Sequence, residues 1–207
     1  MKFSKILTFI GAVAAGRRHA RAGDEVSRRY SQLTDMMTHY NPTFDDRKYW
    51  AYGCNCLILG DRPMSDPGHG PPIDPLDTVC KAYKDCQKCA RDAYGSSCIG
   101  EFVAYNYGVE NGHMTCSDTP GSCDRAICEC DLKFAQDHVT QTHVFDADFH
   151  YFWSTVPGGW NPEESCPRGG GGGIRDMQCC GNDDGPFVRY NAVNHACCDG
   201  EVKKGLC

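Results

Sequence analysis

The chain has 207 residues, 16 of them cysteine, and a formal net charge of −6. That length fits one principal domain with a small appendage. The high, even cysteine count points to a disulfide framework formed in an oxidising compartment and argues against a cytosolic enzyme. The acidic balance disfavours nucleic acid or an anionic membrane surface as partner.

Residues 1–22 read as a signal peptide and processing region. Lys2 and Lys5 precede an apolar run, Ile6 to Ala15, that ends in small residues and gives way to "GRRHARAGDE". The run is too short to span a membrane, and no later segment qualifies, so the chain is expected to be secreted and extracellular with no transmembrane segment. Loss of the five basic leader residues takes the net charge from −6 to −11.

Residues 26–40 place Tyr30, Leu33, Met37 and Tyr40 three and four apart, predicting an amphipathic helix stopped by Asn41-Pro42. A long loop rich in Gly, Pro and Asp follows. Residues 77–94 repeat the helical pattern through Val79, Tyr83, Cys86, Ala90 and Ala93, with Gly95 as the stop. The stretch from Ser96 to Cys116 alternates in short runs broken by "ENG", predicting a small hairpin. A further helix is expected from about Ser122 to His138, aligning Cys123, Ile127, Cys130 and Phe134. Neither long helix is stable unpacked, so the two are expected to face each other. "RGGGGG" at 168–173 reads as a hinge, and the cysteine-dense residues 174–207 are too short to fold without their bridges. The expected fold class is small, disulfide-rich and mainly α. It has an N-terminal helix, a long loop, two antiparallel disulfide-linked helices with a small β-hairpin, and a Cys-rich tail.

Three motifs carry a resemblance: "YGCNC" at 52–56, "VCKAYKDC" at 79–86 and "CECDLKFA" at 128–135. With the cysteine spacing of residues 115–131, they resemble the secreted phospholipase A2 family over roughly residues 26–140. The resemblance implies a family domain at 23–165, a Gly-rich linker at 166–173 and a separate Cys-rich module at 174–207. It also implies the bridges Cys56–Cys80, Cys86–Cys130, Cys98–Cys123 and Cys116–Cys128, and one from Cys54 to a cysteine nearer the C-terminus, for which Cys166 is a candidate. The family's further bridge falls on Val79 and Asp137, so both halves are missing together.

In that family a His takes a proton from the water that attacks the sn-2 ester, and calcium held by an Asp and loop carbonyls stabilises the oxyanion. The matching positions here are Tyr83 and Lys84. A phenol titrates near 10, so at neutral pH it offers almost no base, and an ammonium repels a dication. The calcium loop has lost most of its glycines: Asn55 is followed by Leu57, Leu59 and Gly60 in "LILG". Asp131 and Tyr105 match the residues that orient the family's His, and helix facing suggests that Tyr83 donates to Asp131. No catalytic residue is intact by this reading and no cofactor is expected. The resemblance implies an inactive member that binds a lipid or protein ligand, or serves in an extracellular, biomineral-associated matrix. The alternative is a divergent calcium-dependent phospholipase A2 hydrolysing the sn-2 ester of glycerophospholipids.

Sharper readings compete with plain ones. Lysine at the metal position is similar to membrane-damaging venom homologues, but those are basic and this chain is acidic. His113, His138, His143, His150 and His195 lie off the motifs and read as polar surface residues rather than replacement bases. On a strand, Asp146, Asp148 and His150 would share a face as a metal site; a solvated polar edge is the preferred reading. Cys86-x-x-Cys89 reads as structural disulfides rather than a zinc or redox motif. The tail "RYNAVNHACCDGEV" resembles double-cysteine units of galaxin-type extracellular proteins.

Overall fold

The computed structural model describes residues 25–56, 66, 68, 70–167 and 174–207, with backbone alone for 25–29. The leader, the loop residues Leu57, Leu59 and Gly60, and the hinge 168–173 lie outside these residues. Among the described residues no helix is long and apolar enough to cross a membrane.

The three long helices are α1 (Glu25–Tyr40), α2 (Pro75–Tyr94) and α3 (Cys123–Gln141). Local chemistry explains their boundaries. The Asp74 carboxylate accepts from the Asp77 N–H at the start of α2, and Pro75 in the first turn gives up no bond that the helix needs. Gly95 ends α2 with a positive φ of 100° and returns its N–H to the Arg91 carbonyl. Ser122 caps α3 through the Arg125 N–H. That helix continues three residues past the expected end, to Gln141, because its last turns still bury Ala135 and His138.

Between the helices, β1 (Tyr107–Glu110) and β2 (His113–Cys116) pair antiparallel. The two linking residues, Asn111 and Gly112, both have positive φ (52° and 83°), the conformation a two-residue hairpin turn requires. The main core lies where α1 and the α2–α3 pair meet, around Leu33, Met36, Ala90 and Ile127. A second cluster gathers Tyr49, Tyr52 and Leu76 under the loop before α2. Fully burying a Leu, Ile or Met side chain contributes about 1.5–3 kcal/mol, so these few residues dominate the helical packing.

Eight disulfides are present and no cysteine of the described residues is free. Cys54–Cys166, Cys56–Cys80, Cys86–Cys130, Cys98–Cys123 and Cys116–Cys128 staple the helical part. The tail forms two hairpins, β3 (Met177–Cys180) with β4 (Val188–Asn191) and β5 (His195–Cys198) with β6 (Glu201–Lys204). Cys180–Cys197 joins the hairpins, and Cys198–Cys207 closes the end. Cys89 bridges to Cys179, so the tail is tied covalently to α2. Phe187 packs against the core, and the Gly121 N–H donates to the Asp183 carbonyl.

The aromatic segment after α3 differs from expectation. Residues 146–150 are not a strand. Two 3₁₀ turns occupy Thr142–Val144 and Ala147–Phe149, and Asp146 caps the second by accepting from the Asp148 N–H at 3.0 Å. The shared strand face that a metal site at Asp146, Asp148 and His150 would need is therefore absent, while the Asp148 carboxylate accepts from the Thr155 N–H at 3.1 Å. His150 is buried. Its Nε2 donates to the Arg47 carbonyl at 2.9 Å, its Nδ1 accepts from the Phe152 N–H, and its ring stacks on Trp153. His138 is buried as well, so neither of these two is the polar surface residue expected.

Candidate functional site

Asp131 is the centre of the site. It lies on α3, 3% exposed, and receives three side-chain donors. Tyr83 Oη donates to one carboxylate oxygen at 2.8 Å and Tyr105 Oη to the other at 2.6 Å. Gln87 Nε2, one turn beyond Tyr83, lies 3.2 Å from both Asp131 and Tyr83 Oη, and Gln87 Oε1 accepts from the Gly100 N–H. The spacing i, i+4 places Tyr83 and Gln87 on one face of α2, and the Cys86–Cys130 bridge draws that face onto α3 beside Asp131. Gln87 was not singled out from the sequence, though its position one turn after Tyr83 was a readable signal.

Burial decides the electrostatics here. It pushes Asp131 up to about 7 against the opposing pull of Tyr105, Tyr83 and Gln87. Burial first, and then the Asp131 carboxylate, hold the hydroxyls of Tyr83 and Tyr105 well above the usual phenol value. Both tyrosines therefore stay protonated and act as donors.

A second buried carboxylate shapes the adjoining loop. Asp77, 0% exposed, accepts from the backbone N–H groups of Cys54, Asn55, Cys56 and Ile73 and from Asn55 Nδ2. Gly53 makes this possible: its φ is +59°, and a Cβ there would stand 2.6 Å from the Asp77 carboxyl carbon. Asp77 was read from sequence only as the start of a helix. Its role depends on residues 22 positions away, which no local pattern reveals.

In front of this network lies an apolar pocket of about 50 Å³, walled by Leu33, Met37, Phe44, Tyr49, Trp50 and Phe134, with Tyr83 and Lys84 also on its lining. Lys84 is 8% exposed. Tyr83 stacks on Phe134 with ring centroids 4.4 Å apart, so its ring forms wall and its hydroxyl points away to Asp131. Tyr30, Asp46 and Trp50 fasten the pocket mouth: Trp50 Nε1 donates to Tyr30 Oη, which donates to Asp46. Of the residues predicted for the site, Tyr83, Tyr105 and Asp131 touch, Lys84 shares the pocket, and Asn55 lies on its rim. Among the described residues no group of three or more His, Cys, Asp and Glu side chains is placed to hold a metal.

Comparisons with known proteins agree on one family. The profile described as Phospholipase A2 matches residues 30–145. An acidic phospholipase A2 of Micrurus dumerilii is 35% identical over 84 residues, so the match spans 41% of this chain and 63% of that protein's length. The group IID secretory phospholipase A2 of Mus musculus is 28% identical over 58% of this chain and 76% of its own length. A phospholipase A2 of Calliactis polypus is 28% identical over 66% of this chain and 79% of its own length. The profile match falls on the helical part with its bridges.

Proposed function

Because the chain belongs to the phospholipase A2 family, we propose that it is a secreted member that binds a ligand without hydrolysing it. The carrying observation is the 2.8 Å hydrogen bond from Tyr83 Oη to Asp131. The residue at the family's base position already spends its proton on that carboxylate, and its pKa is raised well above that of a free phenol by burial. It has no capacity to accept a proton from an attacking water near neutral pH.

The residues present do not fit calcium. Lys84, at the position of the metal carboxylate, puts a cationic residue in the pocket lining where a dication needs oxygen ligands. What remains is an apolar pocket whose lining carries one lysine, Lys84, and one aspartate, Asp46, which suits a lipid or an apolar protein segment. The double hairpin of the tail, held by Cys180–Cys197 and Cys198–Cys207, supports an extracellular setting and a galaxin-like structural role, including association with a mineral matrix.

The competing reading is a calcium-dependent hydrolase, since the similar proteins are phospholipases A2 by name. A mixed-micelle assay with and without calcium decides between them. The expected result is no calcium-stimulated release of sn-2 fatty acid, and such release would overturn the proposal. The double variant Tyr83→His/Lys84→Asp is expected to stay inactive, because "LILG" lacks the glycines that turn carbonyls toward a metal.

A further inference from the structure

A second groove, of about 220 Å³, lies on the other side of the Tyr83–Phe134 stack. It runs between α2 and α3 and is roofed by Pro186–Arg189 of the tail. Val79 and Asp137, the two positions where the resemblance implies a missing bridge, both line it. Without a bridge there the helices leave an opening, and the tail covers it without filling it. Among the described residues, only one end carries an unbalanced charge. Asp85 is shared by Lys81 and by Arg189, whose Nη1 lies 3.3 Å away, so two cations meet one carboxylate. Farther along, Lys133 and Asp137 neutralise each other at 2.6 Å.

We propose that this groove binds a small amphipathic carboxylate, its anion at Lys81 and Arg189 and its alkyl chain along Val79, Ala82, Phe134 and Val188. Charge complementarity selects the sign. A monoanion balances the surplus cation, whereas a cationic ligand would add to it. The carbon-lined walls select the chain, since each buried methylene is worth about fourfold in affinity. The site is distinct from the pocket facing α1, because one of its two anion-holding residues comes from the tail, outside the matched residues 30–145.

The test uses the full secreted chain and decanoate, titrated by calorimetry and by NMR of ¹³C-carboxyl-labelled ligand. Unaltered protein is expected to bind decanoate, and decanol at least tenfold more weakly, since the alcohol forgoes the charged contact. Arg189→Gln and Lys81→Gln should each weaken decanoate about tenfold and leave decanol unchanged. Ala82→Trp, at an exposed position of α2, should block both ligands. Thr34→Trp, which plugs the other pocket, should leave decanoate bound. Three results would overturn the proposal: no decanoate binding at all, equal binding of decanol, or binding lost in Thr34→Trp yet kept in Ala82→Trp. The lipase assay reads neither site change, so its outcome stays separate.

Discussion

The helical part and the tail are both cross-linked, yet they are ordered by different physics. The α2–α3 pair buries Ile127, Ala90, Cys128 and Ala135 at 0–1% exposure, and its bridges add to a core that already exists. In the tail the buried apolar residues among those described are Cys180 and Cys198, both bridged, while Met177, Val188, Val193 and Leu206 are exposed. Two-stranded hairpins with no apolar face are not stable alone in water. The tail therefore depends on its bridges and on its anchor to α2, whereas in the helical part bridges and burial share the load.

Breaking a bridge in each part should separate the two cases most strongly. In the chain-entropy picture Cys86–Cys130, spanning 44 residues, contributes about 4 kcal/mol, and Cys198–Cys207, spanning 9, about 2.5 kcal/mol. Cys86→Ser/Cys130→Ser is expected to lower the helical melting temperature by roughly 10 °C, followed by circular dichroism at 222 nm. Cys198→Ser/Cys207→Ser should leave that transition within about 2 °C while opening the tail to limited proteolysis. Equal losses in both variants would refute the contrast.

The next effect lies inside the helical part, at Asp131. Its folded value, about 7, stands above the ordinary carboxylate value, so its contribution is complete below about pH 4 and is lost as pH rises through 7. The donors matter most once it ionises. Tyr105→Phe should cost about 1–3 kcal/mol at pH 8 and distinctly less at pH 5, measured by urea unfolding. An equal cost at both values would mean that Asp131 keeps one charge state throughout.

His138 runs the opposite way. Its two ring nitrogens are buried without hydrogen-bond partners inside a cage of Phe44, Tyr49 and Phe134, and burial pushes it down to about 4. A depressed histidine leaves the fold intact above its unfolded value of about 6.5 and weakens it as pH falls toward 4. His138→Phe should stabilise by about 1 kcal/mol at neutral pH, more at pH 5, because an apolar ring leaves no orphan donor. The smallest effect belongs to the joint between the two parts. Arg189→Gln removes a partly exposed ion pair to Asp85 and should change stability by at most about 1 kcal/mol, with Cys89–Cys179 still holding the tail in place.

Much of the fold was legible because it is written in local periodicity. The stripes through Tyr83 and Cys130, the "ENG" break and the Gly95 stop are short-range signals, and helices and hairpin follow them. Within the site, Tyr83, Lys84, Tyr105 and Asp131 were found through motif spacing, whereas Gln87, Asp77 and His138 were not. Asp77 gathers donors from residues 54–56, and His138 is surrounded by rings from positions 44, 49 and 134. A carboxylate or an imidazole in sequence carries no mark of such company.

By itself, then, the sequence determined the helices, the hairpin, the disulfide-dense character and the presence of Tyr83 and Lys84 between Cys80 and Cys86. These follow from side-chain type and spacing along one chain. Only the tertiary structure decided that Gln87 joins Tyr83 and Tyr105 on Asp131, that the tail closes over α2 and α3, and that two cations share Asp85. Each of those requires groups from distant positions to be desolvated together, and burial, rather than residue type, then sets which proton is held and which charge is left over.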